Sequence, residues 1–184
     1  LTGALYARHF KVFVDSMQKA ASEIGAKIKI GAVAVEAAAT ESWQTTCLKT
    51  WNAGMMQGCG DKADFYVVHN YFTPYNTNST ATQIYQAAAT VPKTMMDYIK
   101  NTLQANGCAL KPVVLDEWNM FATGAMQQVS NVSGGFAITV LGELLKNNYG
   151  LATRWDLING WQNGNDHGLF SPGDEPGVSK WSPR

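Results

Sequence analysis

The sequence predicts a domain of the α/β class, in which parallel strands alternate with helices that cover the sheet. Four short runs rich in β-branched and aromatic residues are separated by longer segments with a helical apolar period. The apolar residues of these runs are nearly continuous, which is typical of parallel strands buried on both faces. With 184 residues, 46% of them hydrophobic, the chain is long enough to form one domain, spanning 1–184, with its own core.

The predicted helices follow the 3.6-residue apolar period and end near residues that disfavour helix. The first spans residues 4–24, with Phe10 and Val14 on its apolar face, and stops at Gly25. The others are expected over residues 43–56, 81–106 and 132–147, with a break near Pro92 in the third. The residues of the second helix that are expected in the core are Trp43, Trp51, Met55 and Met56.

The predicted strands are residues 27–35, 64–72 and 111–119, with a fourth strand and its exit over 151–161, and their carboxyl ends carry polar and aromatic side chains. These side chains are His69, Asn70 and Tyr71, then Glu117, Trp118 and Asn119, then Trp155, Asp156 and Trp161. Either a doubly wound open sheet or a (β/α)8 barrel fits this order. No Gly-rich phosphate-binding turn follows a predicted strand, which weighs against a nucleotide-binding domain. In a barrel the strand ends share one face, where loops form the active site.

Composition excludes several classes of partner. The formal net charge is zero and no basic cluster occurs, so neither nucleic acid nor an anionic membrane surface is expected as a partner. No apolar run approaches the roughly 20 residues needed to cross a bilayer. Cys47, Cys59 and Cys108 match no zinc pattern, and neither a metal nor a cofactor is predicted. Cys47 and Cys59 are candidates for pairing only in an oxidising compartment.

The segment "VVLDEWN" resembles the nucleophile motif of the retaining glycoside hydrolases of clan A, which are (β/α)8 barrels. The Asp before the Glu and the Trp-Asn after it are similar to α-L-arabinofuranosidases, and "VVHNYF" resembles the His-x-Tyr motif on the sixth strand of the clan. The resemblance implies that Glu117 is the nucleophile at the end of strand seven. The chain then supplies about strands five to eight, the C-terminal half of the barrel.

Retaining hydrolysis needs two carboxyl groups about 5 Å apart, one ionised and one acting as acid and base. His69 and Tyr71 are plausible donors to an ionised Glu117, while Asp116 and Trp118 are expected on the opposite face of the strand. Because sugars stack on aromatic rings and bond to planar polar groups, the candidate substrate-binding residues are His69, Asn70, Tyr71, Asn119, Trp155, Trp161 and His167. Core packing for the tryptophans, loop stabilisation for His167, and a solvated strand-end acid for Glu117 are the alternatives.

The same resemblance places the acid/base in an Asn-Glu pair at the end of strand four, and no Asn-Glu pair occurs in this sequence. It is therefore expected in a preceding N-terminal half of the barrel, and the segment alone is expected to be inactive. The tail "NGWQNGNDHGLFSPGDEPG" is more similar to agarases and porphyranases, the second choice of substrate. A non-catalytic carbohydrate-binding half-barrel is the alternative of another class. Polysaccharide degradation implies a secreted or periplasmic protein, with a cytoplasmic location left open.

Overall fold

The chain is organised around one four-stranded sheet whose strand order follows the sequence. The computed structural model describes residues 1–121, 127–161, 166–178 and 180–184. Within these ranges, the parallel sheet contains β1 (Gly31–Val33), β2 (Phe65–Tyr71), β3 (Val113–Asn119) and β4 (Leu151–Arg154), in the order β1-β2-β3-β4. The helices between and before these strands are α1 (Gly3–Glu23), α2 (Thr46–Lys49), α3 (Trp51–Cys59), α4 (Ala81–Ala105) and α5 (Asn131–Lys146). The predicted α/β class with a parallel sheet is confirmed.

The chain divides into two compact units, and the first comprises Leu1–Val68 and Met95–Val114. In this unit α1 packs against α3. The approach is close because Gly3 has no side chain, and an added Cβ there would lie 2.0 Å from the carbonyl oxygen of Trp51. β1 and β2 pair in parallel, with Gly31 opposite Phe65.

The second unit comprises His69–Thr94 and Leu115–Arg184. Its core is an aromatic cluster in which the buried Trp118 ring lies 6.3 Å from Phe72 and 5.9 Å from Phe136, between ring centres. Phe136 comes from α5, so this helix covers the face of β3 that carries Trp118. The expectation that Trp118 is buried is confirmed. This unit also holds a short antiparallel pair, β5 (Phe170–Ser171) and β6 (Ser182–Pro183), which was not predicted.

The ends of the long helices agree with prediction to within two residues because capping groups define them. Thr2 accepts a hydrogen bond from the Leu5 amide at the start of α1, and Ser130 accepts one from Val132 at the start of α5. The predicted break in the third helix is wrong, since α4 continues through Pro92 as one element.

The predicted second helix is corrected by the structure. It is split into α2 and α3 and begins three residues later than expected, because the Thr45 side chain caps it by accepting from the Leu48 amide. Trp43 therefore lies outside the helix and is 75% exposed, so its predicted place in the core is wrong. The predicted burial of Met55 and Met56 is confirmed.

Within the segment predicted as the fourth strand and its exit, residues 151–161, the strand itself ends at Arg154. Beyond it, the segment is held by a bridge between Ile158 and Phe170 and by a hydrogen bond from the Trp161 amide to Asp174. Loop contacts thus replace the sheet ladder. Among the residues that the structure describes, every helix is too short or too polar to cross a membrane.

Candidate active site

Glu117 lies near the carboxyl end of β3, where a tyrosine from the neighbouring strand holds its carboxylate. The Tyr71 hydroxyl donates a 2.8 Å hydrogen bond to Glu117 Oε1. The Glu117 side chain is 27% exposed, so one part of the carboxylate is held while another stays accessible. A partly exposed carboxylate with one oxygen in a short hydrogen bond and the other unbonded has the arrangement that a nucleophile requires.

Tyr71 serves as a hydrogen-bond donor over the whole working range of pH. Burial of the phenol raises its pKa first, and the hydrogen bond to Glu117 and the charge of that carboxylate raise it further. The proton therefore stays on Tyr71, where it supports the negative charge of Glu117.

His69 lies between two carboxylates. Its Nε2 is 2.8 Å from Asp116 Oδ1, and its Nδ1 is 3.8 Å from Glu117 Oε2. Because a carboxylate at hydrogen-bond distance accepts, Nε2 carries the proton shared with Asp116. The longer distance exceeds that of a hydrogen bond, so Oε2 of Glu117 is not bonded to the ring. Strand alternation predicts opposite directions for Asp116 and Glu117, yet one imidazole reaches towards both.

His167 lies beside Tyr71 and is only 9% exposed. The two rings meet edge to face with their centres 5.2 Å apart, and His167 Nδ1 is 3.3 Å from Gln128 Nε2. An amide nitrogen only donates, so Nδ1 accepts and the ring proton of the neutral form lies on Nε2. Burial lowers the pKa of His167, while the carboxylate of Asp156 acts in the opposite direction. The ring is therefore a neutral, fixed group at the edge of the Tyr71–Glu117 pair.

We expect His167 to make folding stability depend on pH. Because its folded pKa lies below the ordinary value of 6.5, its contribution to stability is complete above pH 6.5 and is lost as pH falls through the folded pKa. The variant His167→Asn keeps an acceptor near the Nδ1 position but cannot be protonated. Thermal midpoints measured between pH 7.5 and about 5 should therefore fall less in the variant than in the wild type. Parallel curves would contradict this assignment.

Asn119 is buried and bonds to the backbone of neighbouring segments. Its side-chain nitrogen donates to the carbonyl oxygens of Trp155 and His167, and its oxygen accepts from the Met120 amide at 2.9 Å. Both ends of the amide are thus occupied. The residue positions the segments that carry Trp155 and His167, and it presents no free group to a ligand in this arrangement.

The remaining predicted site residues lie in different places. Trp155 directly follows β4 and is 49% exposed, so its ring is open to a ligand. Asn70 and Trp161 are both half-buried, and the structure does not bring them to Glu117 by any polar contact within the described ranges. Strand alternation places Asn70 on the face opposite Tyr71.

The structure adds two residues that sequence reasoning missed. Phe121 stacks on Tyr71 with ring centres 4.5 Å apart, and Gln128 contacts His167. Asp156, which the sequence placed among the strand-end side chains, lies near the same histidine, and burial raises its pKa. Phe121 follows Glu117 by four residues in the sequence. This short separation from the proposed nucleophile could have marked it as a candidate site residue. Gln128 lies in a short 3-10 turn without any motif.

Metal-ligating side chains do not gather in the described part of the chain. Within it, no three His, Cys, Asp or Glu side chains lie close enough to hold a metal ion. Cys47, Cys59 and Cys108 are all free thiols, so Cys47 and Cys59 are not joined. The chemistry available around Glu117 is that of carboxylates, imidazoles and a phenol.

Sequence comparison gives no relatives: no family model matches the chain, and no curated protein matches it. Structural comparison finds AbfB, a family 51 α-L-arabinofuranosidase from Bifidobacterium longum, with a TM-score of 0.59, 16% identity, and coverage of 100% of this chain and 38% of that one. The GH51 arabinofuranosidase from Xanthomonas axonopodis pv. citri matches with a TM-score of 0.55 and 12% identity, over 95% of this chain and 36% of that one. The chain thus has a glycoside hydrolase-like fold and spans little more than a third of those enzymes.

Proposed function

We propose that this chain is part of a retaining glycoside hydrolase in which Glu117 is the nucleophile. The observation that carries the proposal is the 2.8 Å hydrogen bond from the Tyr71 hydroxyl to Glu117 Oε1 at a strand end, with His69 beside the second oxygen. The likeness of the fold to two arabinofuranosidases supports the same reaction class. Neither support depends on the other.

In the proposed reaction, Glu117 attacks the anomeric carbon and the leaving oxygen departs with a proton from the acid/base. A covalent glycosyl ester then forms on Glu117, and water hydrolyses it with net retention of configuration. Oε1 is held by Tyr71, so the free Oε2 is the oxygen that forms the ester. The carboxylate loses its charge when the ester forms and regains it when the ester is hydrolysed. Tyr71 favours the hydrolysis step, because its hydroxyl bonds more strongly to the ionised carboxylate.

The acid/base is proposed to come from a part of the polypeptide outside this chain. Asp116, the carboxylate adjacent in sequence, is engaged with His69 at 2.8 Å, and no Asn-Glu pair occurs in the sequence. A half-barrel that meets a preceding half would complete the pair of carboxyl groups. This segment alone is accordingly proposed to lack activity.

The proposed substrate is an α-L-arabinofuranoside in a plant polysaccharide. The "DEWN" sequence around Glu117 and the two structural neighbours support this choice. Agarose and porphyran, suggested by the Gly/Asn-rich tail, are tested in the same panel of substrates. Residues 162–165 of that tail lie outside the described ranges.

Chemical rescue tests the assignment of the nucleophile. The complete polypeptide is assayed on para-nitrophenyl α-L-arabinofuranoside, arabinan, agarose and porphyran. The Glu117→Gly variant is then assayed with and without sodium azide. We expect the variant to be inactive alone and to regain turnover with azide, giving a glycosyl azide of inverted configuration, because azide fills the space of the missing carboxylate. A variant that retains wild-type turnover, or an azide product of retained configuration, would refute the role of Glu117.

A further inference from the structure

The loop that follows β2 displays an exposed aromatic ring next to the candidate site. Tyr75 is 72% exposed, although burial of a tyrosine ring is normally favourable. Its ring meets Phe121 nearly at right angles, at 79°, with the centres 5.3 Å apart. The Tyr75 ring is thus in contact with Phe121 on one side, and much of its surface faces solvent.

This ring continues a row of aromatic side chains that begins at the proposed nucleophile. Tyr71 bonds to Glu117, Phe121 stacks on Tyr71 with ring centres 4.5 Å apart, and Tyr75 follows Phe121. The two ring-to-ring steps put Tyr75 no more than about 10 Å from Tyr71. A sugar ring bonded to Glu117 would occupy the near end of this row, and the next ring of the same chain would reach the far end.

The loop is fixed on both sides of Tyr75. On one side the buried Thr73 hydroxyl donates to the carbonyl oxygen of Phe121, which ties the loop to the segment that supports the ring. On the other side Ser79 is buried and its carbonyl oxygen accepts from the Gln127 side chain at 3.3 Å. A ring presented on an anchored loop loses little further freedom on binding, which favours affinity.

We infer that Tyr75 and Phe121 form an aromatic platform for a second sugar ring, next to the ring that Glu117 attacks. The inference rests on the proposed function and adds that the preferred substrate is an oligosaccharide or polysaccharide chain. Aromatic faces bind the C–H surfaces of sugars, and the two side chains of the platform, Tyr75 and Phe121, are both uncharged rings. Tyr75 supplies the exposed surface of the platform, and Phe121 holds it in place.

Kinetics with substrates of different length test the platform in the complete polypeptide. For Tyr75→Ala we expect kcat/KM on arabino-oligosaccharides longer than two sugars to fall by about 10-fold, chiefly through KM, because the stacking contact is lost. On para-nitrophenyl α-L-arabinofuranoside the change should be less than about 2-fold. Tyr75→Phe keeps the ring and should behave as the wild type.

Trp43→Ala is the matched control, since Trp43 is equally exposed at 75% but lies in the first unit. This variant should leave kcat/KM unchanged on both the short and the long substrates.

A second measurement does not require turnover. The Glu117→Gln variant is titrated calorimetrically with arabino-oligosaccharides and agaro-oligosaccharides, with and without the additional substitution Tyr75→Ala. Equal losses on short and long substrates, or unchanged oligosaccharide binding, would overturn the platform while leaving Glu117 as the nucleophile. An active Glu117→Gln enzyme would instead overturn the proposed function.

Discussion

Replacing Glu117 by Gln is expected to lower kcat/KM by at least about 10 000-fold, because the loss of a nucleophile typically has an effect of this size in covalent catalysis. The amide has nearly the same shape as the carboxylate, so the fold and the contact with Tyr71 should persist. It carries no negative charge, however, and cannot form the glycosyl ester. Initial rates on para-nitrophenyl α-L-arabinofuranoside, or on whichever substrate of the panel responds, give the loss directly.

The adjacent acid supplies the control for this prediction. Asp116→Asn removes a carboxylate one residue away that bonds to His69 at 2.8 Å and does not contact Tyr71. It should lower kcat/KM by about 10- to 100-fold, because only the anchoring of His69 is weakened. Losses of the same size in the two variants would mean that the two acids act together and that the assignment to Glu117 alone is wrong.

The second large effect concerns stability. Trp118→Ala should lower the free energy of unfolding by about 3–5 kcal/mol, because it removes the central ring of the aromatic cluster and leaves a cavity. The ring is 2% exposed and contacts Phe72 and Phe136. Urea denaturation followed by fluorescence and by far-UV circular dichroism measures the change.

Two further variants separate packing from other effects. Trp43→Ala removes an indole that is 75% exposed and should change the free energy of unfolding by less than about 0.5 kcal/mol. Trp118→Phe keeps an aromatic ring and also removes the Trp118 N–H, which is buried without a hydrogen-bond partner in the described structure. It should cost clearly less than Trp118→Ala. If the two substitutions at position 118 cost the same, the cluster does not depend on aromatic packing.

The elements that the sequence predicted best are those with local signals. α1 and α5 have capping hydroxyls and a clear apolar period, and β2 and β3 are short β-branched runs. Trp43 was misplaced because hydrophobicity alone does not show whether a residue precedes or follows a cap. The two-residue strands β5 and β6 are too short to show any period, so only pairing with each other reveals them.

The candidate site was partly predictable for the same reason. Glu117, Tyr71 and His69 lie on adjacent strands, and parallel pairing brings strand ends together whatever the loops do. The contacts of Gln128 and Phe121 depend instead on how the segments after β3 return to the sheet. No spacing rule encodes such a return, and a distance of 39 residues separates Gln128 from His167 in sequence.

The anchored loop after β2 has a consequence for the evolution of enzymes built in this way. Thr73 and Ser79 fix the loop at its two sides, so substitutions at the intervening residues, Tyr75 among them, change the surface that it displays without moving β2. The strand that carries Tyr71 can therefore remain constant while the surface displayed by the loop changes. In the proposed enzyme, changes in the recognised ligand and changes in the chemistry would then fall on different residues.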